Sequence, residues 1–131
     1  MSQENVEIVR RSYDAYVRGD LESALAAFDP DVVAYDHDIP DSGEYKGLEG
    51  LFRWQADWES SWESWRWDPE EFIEAGDHVV AVLRVHAQGR GSGVDVERLD
   101  GAVWTLRDSK CIRLDYYGST AEALAAAGLR E

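Results

Sequence analysis

Four groups of side chains in this chain have types and spacings that could do chemistry. The run Asp36-His37-Asp38 sets two carboxylates around an imidazole, groups that hold cations or move protons. Adjacent residues diverge on a strand, and no paired Cys/His spacing completes a tetrahedral set, so no metal centre and no cofactor is expected. Arg84 and His86, two apart, put a permanent cation and a titratable ring on one strand face. Facing inward, they would bind or polarise an anionic or carbonyl group; facing outward, they are a surface or dimer-interface pair. The opposite face (Val79, Ala81, Leu83, Val85) is the more apolar one. Leu51, Trp54, Trp58, Trp62 and Trp65 follow steps of three and four, which is one stripe of a helix, either core or the wall of a cavity. Cys111 has only Lys110 and Arg113 as basic neighbours and reads as a small buried hydrophobe rather than a nucleophile.

The elements that position these groups follow from local signals. Val6, Val9, Tyr13, Tyr16 and Val17 recur at helical spacing and predict a first helix to about Arg18. Gly19 suits its C-terminal end, and Asp20 caps a short second helix, Leu21 to Phe28. Asp29-Pro30 breaks that helix, and Asp31 to His37 reads as a strand. Ile39 to Tyr45 is expected as a loop, then Leu48 to Trp65 as the tryptophan-bearing helix. Phe72 to Glu74 is a short strand, and His78 to Gln88, Val94 to Arg107 and Lys110 to Tyr117 are three longer ones. The loop 89–93 joins a hairpin; no helix follows it, so it is no phosphate cradle. Ser119 or Thr120 caps a last helix, Ala121 to Ala127, ending at Gly128. Helices first and strands after make an α+β chain whose curved sheet can enclose a pocket.

The composition narrows the partners. Among 131 residues there are 27 acidic and 13 basic side chains, for a formal net charge of −14. Nucleic acid and anionic membranes call for the opposite sign, so neither is an expected partner. Length and hydrophobic content suit one domain, residues 1–131. A lone cysteine, no leader-like N-terminus and no apolar run long enough to span a bilayer point to the cytoplasm.

The opening SQENVEIVRRSYDAYVRGDLESALAAFDPDVVAYD resembles SnoaL-like proteins of the nuclear-transport-factor-two-like superfamily, related to ketosteroid isomerases. So do YKGLEGL, EEFIEAGDHVVAVLR, GRGSGVDVE, VWTLRDSKCIRL and AEALAAAGL, which together cover nearly the whole chain. The resemblance implies a cone: a curved antiparallel β-sheet wrapped around three N-terminal helices, with a short C-terminal helix. It also implies an apolar pocket, a homodimer built on the convex side, and, in the family's enzymes, a carboxylate in a dry pocket that moves a proton. Fold alone does not choose among activities, since the superfamily holds isomerases, cyclases, epoxide hydrolases and members without known catalysis.

Carried over residue by residue, the resemblance assigns the proton-shuttling aspartate to Asp36, at the end of DPDVVAYD. The alternative reading of Asp36 is one more acid on a loop edge. The isomerase's helix-one tyrosine falls on Ser12, with Tyr13 and Tyr16 nearby, and its second oxyanion donor falls on Ala102, for which Asp100 is the possible substitute. Of the epoxide-hydrolase set, Arg84 matches, but His86 and Tyr116 replace the two aspartates. Cyclases of this type use an acid and a histidine, which Asp36, His37, His78 and His86 supply without a secure match. His37 points away from Asp36 if the strand continues, and His78 is expected to be exposed. The resulting expectation is a pocket for a small apolar or aromatic molecule, lined by Tyr16, Trp54, Trp58, Arg84, His86, Trp104 and Tyr116. Asp36 would act as base in an isomerisation, cyclisation or dehydration of a carbonyl compound. A non-catalytic binding or dimerisation module is the rival, and an epoxide hydrolase comes third. The acids placed near the pocket mouth would admit a neutral or cationic ligand more readily than a polyanion.

Overall fold

Polar caps and one left-handed glycine set the N-terminal helices. In the computed structural model, which describes residues 2–38 and 43–129, Ser2–Val17 is α1 and Leu21–Leu25 is α2. Gly19 (φ 84°) turns the chain between them, its N–H donating to Tyr16 O and the next N–H to Ala15 O. Asp20 caps α2 by accepting from the Ser23 N–H at 3.2 Å. Helix α2 is shorter than expected because Phe28 already belongs to a strand, β1 (Phe28–Asp36). A register irregularity between Phe28 and Val33 absorbs Pro30, which has no N–H to give the ladder.

The tryptophan-bearing helix is also shorter than its periodicity suggests. Gly43–Lys46 forms a strand, β2, in the stretch where the sequence suggests a loop; the part of that loop at 39–42 lies outside the described residues. Helix α3 then runs Gly47–Ser61, and Trp62–Ala75 is the 14-residue strand β3. Trp62 and Trp65 therefore sit on a strand, not on the helix stripe with Trp54 and Trp58. Strand β3 pairs along its length with β4 (His78–Gly89), from Trp62↔Gly89 to Ala75↔His78. A helix continued to Trp65 would strip the ladder partner from the end of β4 at Ala87, Gln88 and Gly89, so pairing wins over helical spacing.

Strands β5 (Asp95–Arg107) and β6 (Lys110–Tyr117) complete an open, curved sheet in the order β2-β1-β6-β5-β4-β3. It is mostly antiparallel, as the α+β expectation has it, with one correction: β1 and β6 are parallel. That pair sets Asp36 against Tyr116, and the crossover it needs is supplied by everything between the two strands. One face of the sheet carries α1–α3 and a core of Val9, Tyr13, Val32, Trp58, Leu83 and Trp104. The other face, at Val80 and Val103, takes the short α4 (Thr120–Ala126), capped by Ser119. Helix α4 sits directly on β5, since a Cβ placed on Gly101 would collide with Ala123 Cβ.

Candidate functional site

Between the helices and the sheet lies a cavity of about 100 Å³ whose wall is almost wholly aromatic and aliphatic. Helix α1 supplies Ser12, Tyr13 and Tyr16; α3 supplies Leu51, Trp54 and Trp58. From the sheet come Trp65 and Trp67 of β3, Trp104 of β5, and Leu114 and Tyr116 of β6. No lining residue among those described carries a formal charge. The rings pack against one another: Trp58 lies 5.6 Å from Trp67 and 5.8 Å from Tyr116, and Trp65 lies 5.2 Å from Trp67.

Several polar tips of these rings are spent inside the wall. Trp104 Nε1–H donates to the Tyr13 hydroxyl at 3.1 Å, and Trp67 Nε1–H donates to the Tyr116 hydroxyl at 3.2 Å. Among the described residues, every buried side-chain nitrogen and oxygen has a partner. What the cavity offers a guest is therefore mainly carbon and π surface.

Asp36 stands just outside this wall, at the end of β1 and 1% exposed. Its Oδ2 accepts from Trp54 Nε1 at 2.8 Å and its Oδ1 from the Asp38 N–H at 3.0 Å. Burial holds its carboxyl above the usual carboxylate range, against the opposing pull of the Trp54 indole and the Asp38 amide. Trp54 is itself fixed by rings on two sides, Tyr45 at 6.0 Å and Tyr116 at 5.7 Å. The acid is thus dry and proton-hungry, with an indole between it and the cavity.

A second buried carboxylate, Asp100, closes a polar chain behind Tyr116. It accepts from Arg98 Nε at 2.6 Å, from Arg98 Nη2 at 3.1 Å and from the Tyr116 hydroxyl. The same Nη2 reaches Asp38 Oδ2 at 2.6 Å, which ties the turn after Asp36 to β5. Asp100 is consequently an acceptor in this arrangement, not the oxyanion donor that could stand in for Ala102. Burial and the neighbouring Asp100 push the Tyr116 phenol well up, so it keeps its proton.

Of the lining residues expected from sequence, Tyr16, Trp54, Trp58, Trp104 and Tyr116 reach the cavity. Arg84 and His86 do not. They share the outer face of β4 with Val80, where Arg84 pairs with Glu70 and with Glu97 at 3.0 Å. His86 lies 3.2 Å from Asp68. The reason is the one visible in the strand itself: Leu83 and Val85 bury at no cost, whereas a guanidinium turned into this wall would find no acceptor. His37 is exposed just past the end of β1, where it meets Asp115 at 2.8 Å and stacks on Tyr117 at 4.5 Å. His78 is half-buried against Thr105 at 3.0 Å. Cys111 is buried, with its thiol pushed up to about 12 by desolvation. Trp67 was missed as a lining residue; its signal was the Trp65-x-Trp67 spacing, two apart, which belongs to a strand.

Among the described residues no cluster of His, Cys, Asp and Glu has the makings of a metal site, and no helix is long and apolar enough to cross a membrane. The family model of the SnoaL-like domain matches residues 9–114. Similar solved structures include a nuclear-transport-factor-two-like protein of unknown function from Burkholderia pseudomallei K96243 (26% identity, 93% of this chain and 95% of that one, TM-score 0.76). Another is TerC co-crystallised with polyporic acid (25% identity, 95% and 98%, TM-score 0.77). A candidate SnoaL-like polyketide cyclase from Jannaschia sp. CCS1 shares the fold at 22% identity, covering 88% and 85%, with a TM-score of 0.75. No curated protein matches the chain.

Proposed function

We propose that this chain, which belongs to the SnoaL-like domain family, binds a small apolar or aromatic molecule in the cavity between α1–α3 and the sheet. The observation that carries this reading is the wall itself, rings and aliphatic carbon with no formal charge among its described lining residues. A cavity of about 100 Å³ takes only the leading part of a ligand, so the rest extends through the mouth. TerC, at 25% identity, was co-crystallised with a small molecule, which lends support. The test is a tryptophan-fluorescence titration with naphthol: saturable quenching is expected, weakened by about tenfold in Trp58→Ala. No saturation up to about 1 mM would overturn the reading.

A second reading, proton transfer by Asp36 on a carbonyl compound, is favoured by one observation: the carboxyl is buried and held above its usual range. It requires the Trp54 indole to yield its place to the ligand. Exchange of the α-protons of tetralone in heavy water should then run faster with the protein than in buffer and drop to the buffer rate with Asp36→Asn. Equal rates for the two proteins would remove Asp36 as the base.

The chain acts as a single domain and, on the family pattern, as a cytoplasmic homodimer joined through the sheet face that carries Arg84 and the exposed Leu99. Light scattering at micromolar concentration tests the dimer.

A further inference from the structure

We propose that the ligand of this cavity carries a protonated amine at its outer end, held against the rings of Tyr16 and Trp65 beside the carboxylate of Glu59. This deepens the binding reading above and rests on it. The cavity continues outward into a groove of about 520 Å³, and the two share Tyr16, Leu21, Gln55, Trp65 and Trp67. A guest seated on the inner rings therefore projects its far end along the groove.

The groove, unlike the cavity, is charged. Its ionisable acid and base groups are Glu59, Arg66 and Asp68. Arg66 Nε donates to both oxygens of Asp68, at 3.0 and 3.3 Å, so these two cancel. Glu59 is left over, with no ion-pair partner among the described residues. Arg90 reaches the same end of α3, but its Nη2 is engaged by the backbone oxygens of Glu59 and Trp62, and its Nη1 lies 3.7 Å from Glu63. The Glu59 charge is felt at Tyr16, whose phenol burial first and this carboxylate second hold above the ordinary value.

The aromatic part of the site matches that sign. Tyr16 and Trp65 stack with centroids 6.3 Å apart and planes 29° from parallel, and both border the groove that holds the carboxylate. A cation within about 6 Å of such a ring is attracted by its quadrupole, and a nearby carboxylate adds to that attraction. An anionic end would meet Glu59 with no free cation among the described groove residues to offset it. Val17 and Leu21, 62% and 38% exposed, give the rim carbon for the linking segment.

Three probes with one body separate the cases: phenylpropylamine, phenylpropanol and phenylpropionate, titrated by calorimetry at low salt. The amine should bind tightest and the carboxylate weakest, and Glu59→Gln should weaken the amine by about fivefold. Glu74→Gln, the same change of charge on β3 but outside cavity and groove, should leave the amine unaffected. If the alcohol binds as tightly as the amine, or if Glu59→Gln has no effect, the amine site is overturned while the cavity reading stands. If none of the three binds, both fall.

Discussion

The indole N–H of Trp54 donates to Oδ2 of Asp36 at 2.8 Å, so one side chain both walls the cavity and covers the carboxylate behind it. On the readings proposed above, binding and proton transfer would be coupled through this contact. A ligand that displaces the indole exposes a buried acid; one that does not finds only an aromatic wall.

Trp54→Phe keeps a ring in the wall but removes that donor. The buried carboxylate then keeps the Asp38 amide and the weaker pull of the Trp58 indole, so the protein should lose about 1–3 kcal/mol in urea denaturation. Asp36 should also titrate at higher pH in carboxyl-carbon NMR, because a bond to the anion has gone. An unchanged titration would show that the indole does not hold the charge.

Asp36 should make stability fall as pH rises. Its folded-state pKa lies above the unfolded value. Below the unfolded value it is protonated in both states, and its contribution is complete. Between the two values the unfolded chain releases the proton first, so the folded state is progressively disfavoured until its own pKa is passed. Relative to wild type, Asp36→Asn should therefore gain stability progressively as the pH is raised from acid toward neutral, read from urea midpoints. A constant difference across that range would contradict the burial assigned to this acid.

Arg98→Met strands Asp100, which is fully buried, and frees Asp38. A buried carboxylate stripped of its guanidinium costs about 3–5 kcal/mol, to be read from the urea midpoint. Adding Asp100→Asn should recover part of that loss, since the stranded charge goes with it. If the double variant is no better than the single one, the pair is not what Arg98 supports.

Gly101→Ala should loosen α4 and cost about 1–3 kcal/mol, because the new methyl would collide with Ala123 Cβ. Ala123→Gly in the same chain makes room and should restore much of the loss. Thermal melts of the four proteins close the cycle.

Strands and helices were legible wherever the signal was local. Asp20 capping α2, Gly19 ending α1, and the valine-rich apolar run that opens β4 all depend on a residue and its near neighbours. The stretch from Trp62 to Trp67 was not, because its spacing suits a helix and a strand alike. Its state is decided by β4, whose edge it satisfies, and the partners there (Gly89 for Trp62, Val85 for Trp67) lie far along the chain. The orientation of Arg84 was indicated by the more apolar opposite face of β4, and the helices, packed on that face, decide it.

For the site, the chain's own residues determined the materials: tryptophans rich enough to wall a cavity, an aspartate after an apolar strand, and an excess of 14 negative charges. Tertiary structure decided how they meet. The parallel register of β1 and β6 sets Asp36 beside Tyr116, and α3 lays Trp54 between the acid and the cavity. Packing also spends Asp100 on Arg98 and leaves Glu59, among the described residues, without an ion-pair partner at the mouth. These are contacts between residues far apart in sequence, and long-range burial and pairing, not local propensity, carry their free energy.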